Sequence, residues 1–289
     1  MLKTWAPFFF VLLWSTGFIG AKFGLPYAGP ATFLFVRMVF NILMFILLIA
    51  LLKSSYPTGR QAFHAMVSGL LIHAGYLGGV FAAINVGMPT GLSSLIVGTQ
   101  PLVTAVILVT MTDERLKKSQ WLGLVIGVVG VALVVQGKMT WPPGTDKTWA
   151  YVFVLSALAC ITIGTLYQKK FCQGIDLVGC AFWQYVASAV VLFPVALLNE
   201  GLSVEWSGTF ILALAWSVVI LSGVAVLLLL YMIKQGAASK VTSVMYLVPP
   251  VTAFQGWLFF DEAFALTGLL GFVLASLSVY LVMKAKSST

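Results

Sequence analysis

One cation, one imidazole and a few aromatic and amide side chains stand inside long apolar runs of this 289-residue sequence. Arg37 is the one charged residue within such a run. Placing a charge in lipid costs at least about 2.5–3.5 kcal/mol on insertion scales, so Arg37 is expected to face protein or water. It can contact an anionic group or act as a latch that changes partners. It can equally be structural, snorkelling or bonding helix-end carbonyls. His73 sits near the middle of another run, with Tyr76 three residues on. That spacing puts both on one helix face, together with Gly69. An imidazole at this depth can bind a ligand or titrate near neutral pH. It can also be a buried ring satisfied by a neighbouring hydroxyl or carbonyl.

Prolines mark two further places. Gln100 precedes Pro101, and Pro249 precedes Pro250. A proline removes one helix hydrogen bond and frees the carbonyl four residues earlier, here those of Val97, Met245 and Tyr246. Exposed acceptors at mid-membrane depth suit a binding site; a packing kink is the plainer alternative. Trp14 and Trp183 are indoles well inside their runs, and a buried indole N–H wants a partner. The expected cavity residues are therefore Trp14, His73, Tyr76, Gln100, Trp183 and Tyr246. Arg37, Pro101, Pro249 and Pro250 are expected to gate or to support. No metal, cofactor or nucleic-acid partner is expected. The three cysteines lack metal spacing, and there is no HExxH, phosphate loop or lysine within a run.

The elements that must position these residues follow from composition. Hydrophobic residues make up 61% of the chain and charged residues 8%. Soluble domains carry about 25% charged residues, so the chain is read as largely embedded in lipid. A membrane helix takes about 20 mostly apolar residues. Ten such segments are expected, near 5–24, 30–52, 62–86, 89–110, 119–136, 149–169, 177–198, 208–233, 237–259 and 265–283. With the N-terminus in the cytoplasm, twelve cations fall on that side: Lys3, Lys53, Arg60, Arg115, Lys117, Lys118, Lys169, Lys170, Lys234, Lys240, Lys284 and Lys286. Three fall on the other: Lys22, Lys138 and Lys147. That asymmetry places both termini in the cytoplasm. The carboxylates Asp113, Glu114, Asp261 and Glu262 are expected to be solvated charges at helix ends.

The chain also repeats itself. Residues 87–111 align with 236–260, setting Gly87 on Gly236, Ser94 on Ser243 and Pro101 on Pro250. Asp113–Glu114 then meets Asp261–Glu262, Gly17 meets Gly164, and Arg37 meets Gln184. Five spans per copy is an odd number, so the copies 1–140 and 141–289 would enter the membrane in opposite senses. The expected fold is all-α and polytopic, ten transmembrane helices as two inverted five-helix repeats. Inverted repeats with interrupted midplane helices are a pattern of secondary transporters, whose site lies near midplane. A channel or a membrane-embedded enzyme is the alternative of another class. Gly123, Gly127 and Gly130 share one side of the fifth span, their repeat partners are Gly271, Ala275 and Ser278, and small residues at this spacing let helices approach closely.

Several stretches carry a resemblance to a known family. They are Leu13-Trp14-Ser15-Thr16-Gly17-Phe18 followed by Phe33 to Arg37, Gly87 to Leu102, Asp113-Glu114-Arg115-Leu116, and Tyr246-Leu247-Val248-Pro249-Pro250 running to Glu262. In their order and spacing the chain resembles the ten-helix EamA-like branch of the drug/metabolite transporter superfamily. The resemblance implies an inner-membrane carrier of a small metabolite, often an amino acid or related amphipathic compound, frequently exported. Uptake or multidrug efflux is the runner-up. The partners are then a small-molecule substrate and the lipid bilayer, with a monomer expected and a dimer as the alternative. The superfamily's small multidrug members couple protons through a glutamate in their first helix. This sequence has no Asp or Glu within a span, so coupling through His73, exchange and facilitated diffusion stay open. If His73 carries the proton, His73→Gln removes the pH dependence of transport in proteoliposomes; an unchanged pH profile refutes that coupling.

Overall fold

The computed structural model describes residues 2–111, 118–136, 141–225, 228, 245–263 and 265–286. It is helical; among the described residues the one extended pairing outside helices is a bridge between Ala28 and Val204. In chain order the helices are α1 (Leu2–Gly24), α2 (Pro30–Leu52), α3 (Gly59–Gly69), α4 (Gly78–Asn85), α5 (Thr90–Gly98), α6 (Gln100–Met111), α7 (Lys118–Gln136), α8 (Lys147–Phe171), α9 (Leu177–Glu200), α10 (Gly208–Ala215), α11 (Val248–Phe260) and α12 (Leu266–Lys286). A π-helical segment, Leu70–Leu77, joins α3 to α4, and a second, Trp216–Ala225, continues α10.

Seven helical stretches among the described residues are long and apolar enough to cross a membrane: Ala6–Gly24, Pro30–Leu52, Gly59–Asn85, Thr90–Ile107, Lys147–Phe171, Leu177–Glu200 and Gly208–Ala225. The chain is thus a multi-pass membrane protein. The fifth and tenth expected spans fall on α7 and α12, whose stretches Trp121–Val134 and Leu266–Leu281 are apolar. The end of the eighth expected span and the start of the ninth lie outside the described residues, as do Asp113 and Glu114.

The chain forms two compact units, each drawing on both halves of the sequence. The first holds residues 1–19, 86–147 and 223–289. Here α7 packs along α12 through small residues. A Cβ added at Gly130 would meet the Ala275 amide nitrogen at 2.7 Å and the Gly271 carbonyl at 2.8 Å. Side chains of any size would force these backbones apart, so the small-residue stripe sets their distance. In the same way α11 crosses α5 where Gly98 faces the Pro249 ring and Gly256 faces Thr90.

The N-terminus of α5 is capped by a side chain from beyond the end of α11. Glu262 accepts from the Thr90 amide at 2.9 Å, the Thr90 hydroxyl at 2.9 Å and the Gly91 amide at 3.3 Å. These amides are among the donors that a helix start leaves unpaired, and the helix dipole favours an anion there. This corrects the expectation of a solvated charge: Glu262 is 4% exposed, whereas Asp261 beside it is exposed.

The second unit holds residues 20–85 and 148–222. Both α2 and α3 pack on α9, and Gly69 lies directly against the Gln184 backbone. Phe33, fully buried, touches the rings of Phe81 and Phe210 at centroid distances of 5.3 and 5.1 Å. Glu200 repeats the device seen in the first unit. Its carboxylate accepts from the amides of Ala31 at 3.0 Å and Thr32 at 2.7 Å, capping the start of α2.

Glu262→Ala removes three charge-assisted hydrogen bonds from a buried helix start. It is expected to cost about 2 kcal/mol, read as a fall of several degrees in the unfolding midpoint of the detergent-solubilised protein. Glu205→Ala, at an exposed position, is expected to leave that midpoint unchanged.

Candidate functional site

The polar side chains of the second unit converge on α2, α9 and the two π segments. Arg37 lies on α2 and is 8% exposed. Its Nη2 donates to Ser222 Oγ at 3.3 Å, while its Nε is buried with no partner. Ser222 lies on the second π segment, and its hydroxyl donates in turn to the carbonyl of Ser217, five residues back, at 3.2 Å. That i to i+5 reach is the spacing of the π register itself. Tyr76 and Tyr185 lie close enough to Arg37 to interact with its charge, and Tyr185 also reaches Ser222.

His73 and Tyr76 both lie on the first π segment. Single-turn π segments occur often at functional sites, because the extra residue re-aims side chains. His73 Nε2 stands 3.3 Å from Gln184 Oε1. The amide nitrogen of Gln184 donates to Ser68 Oγ at 2.9 Å, which fixes the amide's orientation. Oε1 is then an acceptor, so His73 donates from Nε2 and the neutral ring keeps the Nδ1 lone pair. The imidazole lies on the Tyr185 ring at 4.6 Å, and Tyr185 rests in turn on Phe45 at 5.1 Å. Ser188 ties the helices together, donating to the carbonyls of Gly69 at 3.0 Å and Gln184 at 2.8 Å. The cluster has donors, acceptors and aromatic faces, and one fixed positive charge. It can bind and orient a small polar molecule.

The other expected residues sit elsewhere. Trp183 is next in sequence to Gln184, yet its indole donates to the Pro57 carbonyl at 2.9 Å. It packs against Ala65, Cys172, Ile175 and Cys180. In the first unit, Trp14 lies on Phe10 at 5.3 Å, in a cluster with Ala6, Leu228 and Met245. Gln100 opens α6, partly buried, directly after a break in the helix. The Tyr246 side chain lies outside the described residues.

The break at Thr99 follows from Pro101, which has no N–H to give to Val97, and from the steric push a proline exerts on the residue before it. The freed carbonyl of Val97 is not left open as expected. The Thr99 amide turns back on it and on Ile96, and the Thr99 hydroxyl donates to Ile96 at 2.6 Å. Pro249 and Pro250 fall in the first turn of α11, after a 3₁₀ turn at Met245–Leu247. There a missing N–H breaks no helix hydrogen bond. These prolines start a helix rather than kink one.

Among the described residues, no three His, Cys, Asp or Glu side chains come together to hold a metal ion. The sequence reading missed Asn41, Ser68, Tyr185, Ser188, Ser217 and Ser222. Tyr185 had one usable signal, its place beside Gln184. The serines had none, because serine is common throughout the spans.

Known proteins match this chain along its length. The model of the EamA-like transporter family matches twice, over residues 4–136 and 148–284. The uncharacterized transporter YvbV of Bacillus subtilis is 26% identical over 282 residues, covering 95% of this chain and 89% of that one. A protein of Salmonella typhimurium named as a probable amino-acid metabolite efflux pump is 25% identical over 164 residues, covering 56% of this chain and 52% of its own. One crystal structure, at 16% identity, superposes with a TM-score of 0.67 over 99% of this chain and 98% of that one, which shows the shared fold. With the family model matching both halves, the chain belongs to the EamA-like transporter family.

Proposed function

We propose that this protein is a secondary carrier of a bacterial inner membrane that exports an amino acid or related amphipathic metabolite by alternating access. In this reading ten transmembrane helices form two inverted five-helix repeats, 1–140 and 141–289, with both termini in the cytoplasm. The substrate binds at the cluster of His73, Tyr76, Gln184 and Arg37.

The observation that carries the reading is the buried polar cluster itself. In a lipid-embedded unit, buried polar groups are costly unless they have partners or a purpose. Here they gather around two π segments. At the register that sets Arg37 on Gln184, the segment Leu70–Leu77 overlies Trp216–Ala225 to within about a residue. The hydrogen bonds follow the same pattern. Arg37, on the second span of one half, bonds Ser222 on the third span of the other; Gln184 and Ser68 do the converse. This crossed pairing supports the inverted repeat, as do the two family matches of similar length. The name of the Salmonella relative supports amino-acid export.

The test is counterflow in proteoliposomes loaded with unlabelled amino acids. Saturable, trans-stimulated uptake of at least one labelled amino acid is expected, and its absence across the panel refutes the substrate class. Gln184→Leu unpairs His73 and Ser68 together. It is expected to lower the rate about tenfold or more, the effect of roughly 1.4 kcal/mol, while the protein stays monodisperse.

A further inference from the structure

The cluster holds a positive charge that no carboxylate among the described residues neutralises. Arg37 makes a single hydrogen bond, to a neutral hydroxyl, and its Nε has no partner. The nearest acidic residues by sequence in this unit are Asp176, Glu200 and Glu205, which sit at the helix ends or beyond them. Asp176 caps α9 and Glu200 caps α2, so both carboxylates are already engaged. A buried cation without a counter-ion is unfavourable, and proteins retain one where an anion arrives to pair with it.

Asn41 lies four residues beyond Arg37 on α2, so it shares the same face one turn away. It is fully buried, and neither its amide oxygen nor its amide nitrogen has a partner. The Ser217 hydroxyl, 1% exposed, is likewise without an acceptor or donor. Buried polar groups are nearly always hydrogen-bonded, and those left over need an explanation. Four residues of this unit carry such atoms, Thr32, Arg37, Asn41 and Ser217, and Arg37 and Asn41 share one helix face. Arg37 and Asn41 offer a guanidinium fork and an amide that both donates and accepts.

We propose that Arg37 and Asn41 form an anion subsite that takes the carboxylate of the transported molecule. The assignment rests on the carrier reading for its biological role, and on the unpaired groups for its chemistry. A guanidinium fork matches the two oxygens of a planar carboxylate. One cation balances one negative charge, which favours a carboxylate over a phosphate dianion; among the described residues every other Lys and Arg lies in the first or last turn of a helix or just outside it. The Asn41 amide then serves the neighbouring group, its oxygen accepting from an α-ammonium or its nitrogen donating to a carboxylate oxygen.

Two readouts on the purified, lipid-reconstituted full chain test this. The first is ligand-induced thermal stabilisation by leucine, phenylalanine, threonine and glutamine, each against its own carboxamide and against inorganic phosphate. At least one amino acid is expected to stabilise the wild type, with its carboxamide and phosphate at least tenfold weaker. Arg37→Gln should abolish the difference between acid and amide, and Arg37→Lys should restore part of it. Equal stabilisation by acid and amide, stabilisation by phosphate alone, or no stabilisation by any acid would overturn the subsite. The wild-type comparison stands even if Arg37→Gln fails to fold. The second readout is counterflow with the same compounds. Acid-selective binding without counterflow leaves the subsite standing and removes the carrier reading. Equal counterflow of acid and amide leaves the carrier standing and removes the subsite.

Discussion

Hydrocarbon offers no hydrogen-bond partner, so each polar group carried into the membrane must find one inside the protein. Much of this structure follows from that constraint. Helix starts at α2 and α5 expose amides that water would otherwise serve, and Glu200 and Glu262 reach back to accept them. Serine and threonine hydroxyls turn onto carbonyls of the preceding turn, as Ser15 does onto Val11 and Thr162 onto Leu158. Where a proline removes an amide, as at Pro101, the backbone tightens and Thr99 closes the gap.

Against that background the exceptions stand out. Arg37 Nε, both ends of the Asn41 amide, Ser217 Oγ and Thr32 Oγ1 are left over in the second unit. Ser217 lies on the second π segment, and Arg37 bonds Ser222 on the same segment. A π turn puts one more residue into a turn and displaces the side chains that follow it. That shift brings His73 to Gln184 and Ser222 to Arg37.

How much of this could be read in advance differs from residue to residue. Arg37 was legible because a charge in an apolar run has no ordinary explanation. His73 and Tyr76 were legible because polar residues three apart in an apolar run share one face of an α-helix. Gly130, Gly271 and Ala275 showed the α7–α12 contact, since only small residues permit it. Trp183 was misleading. Its depth in the sequence matched Gln184, but consecutive residues on a helix point about 100° apart, and its indole went to Pro57. Glu262 was read as solvated because its loop is polar. Its burial depends on α11 lying against α5, which no local pattern shows.

The sequence by itself determined that the chain lives in lipid, roughly where its helices run, that its halves are related, and which single cation lies among apolar residues. These are properties of composition and spacing, and they need no partner to be defined. Tertiary structure decided which serine meets Arg37, which carboxylates cap which helices, and which amide is left without a partner. Each of those is a pairing between residues a hundred or more positions apart. Many serines and amides compete for every such pairing, and only packing distances of a few tenths of an ångström choose among them.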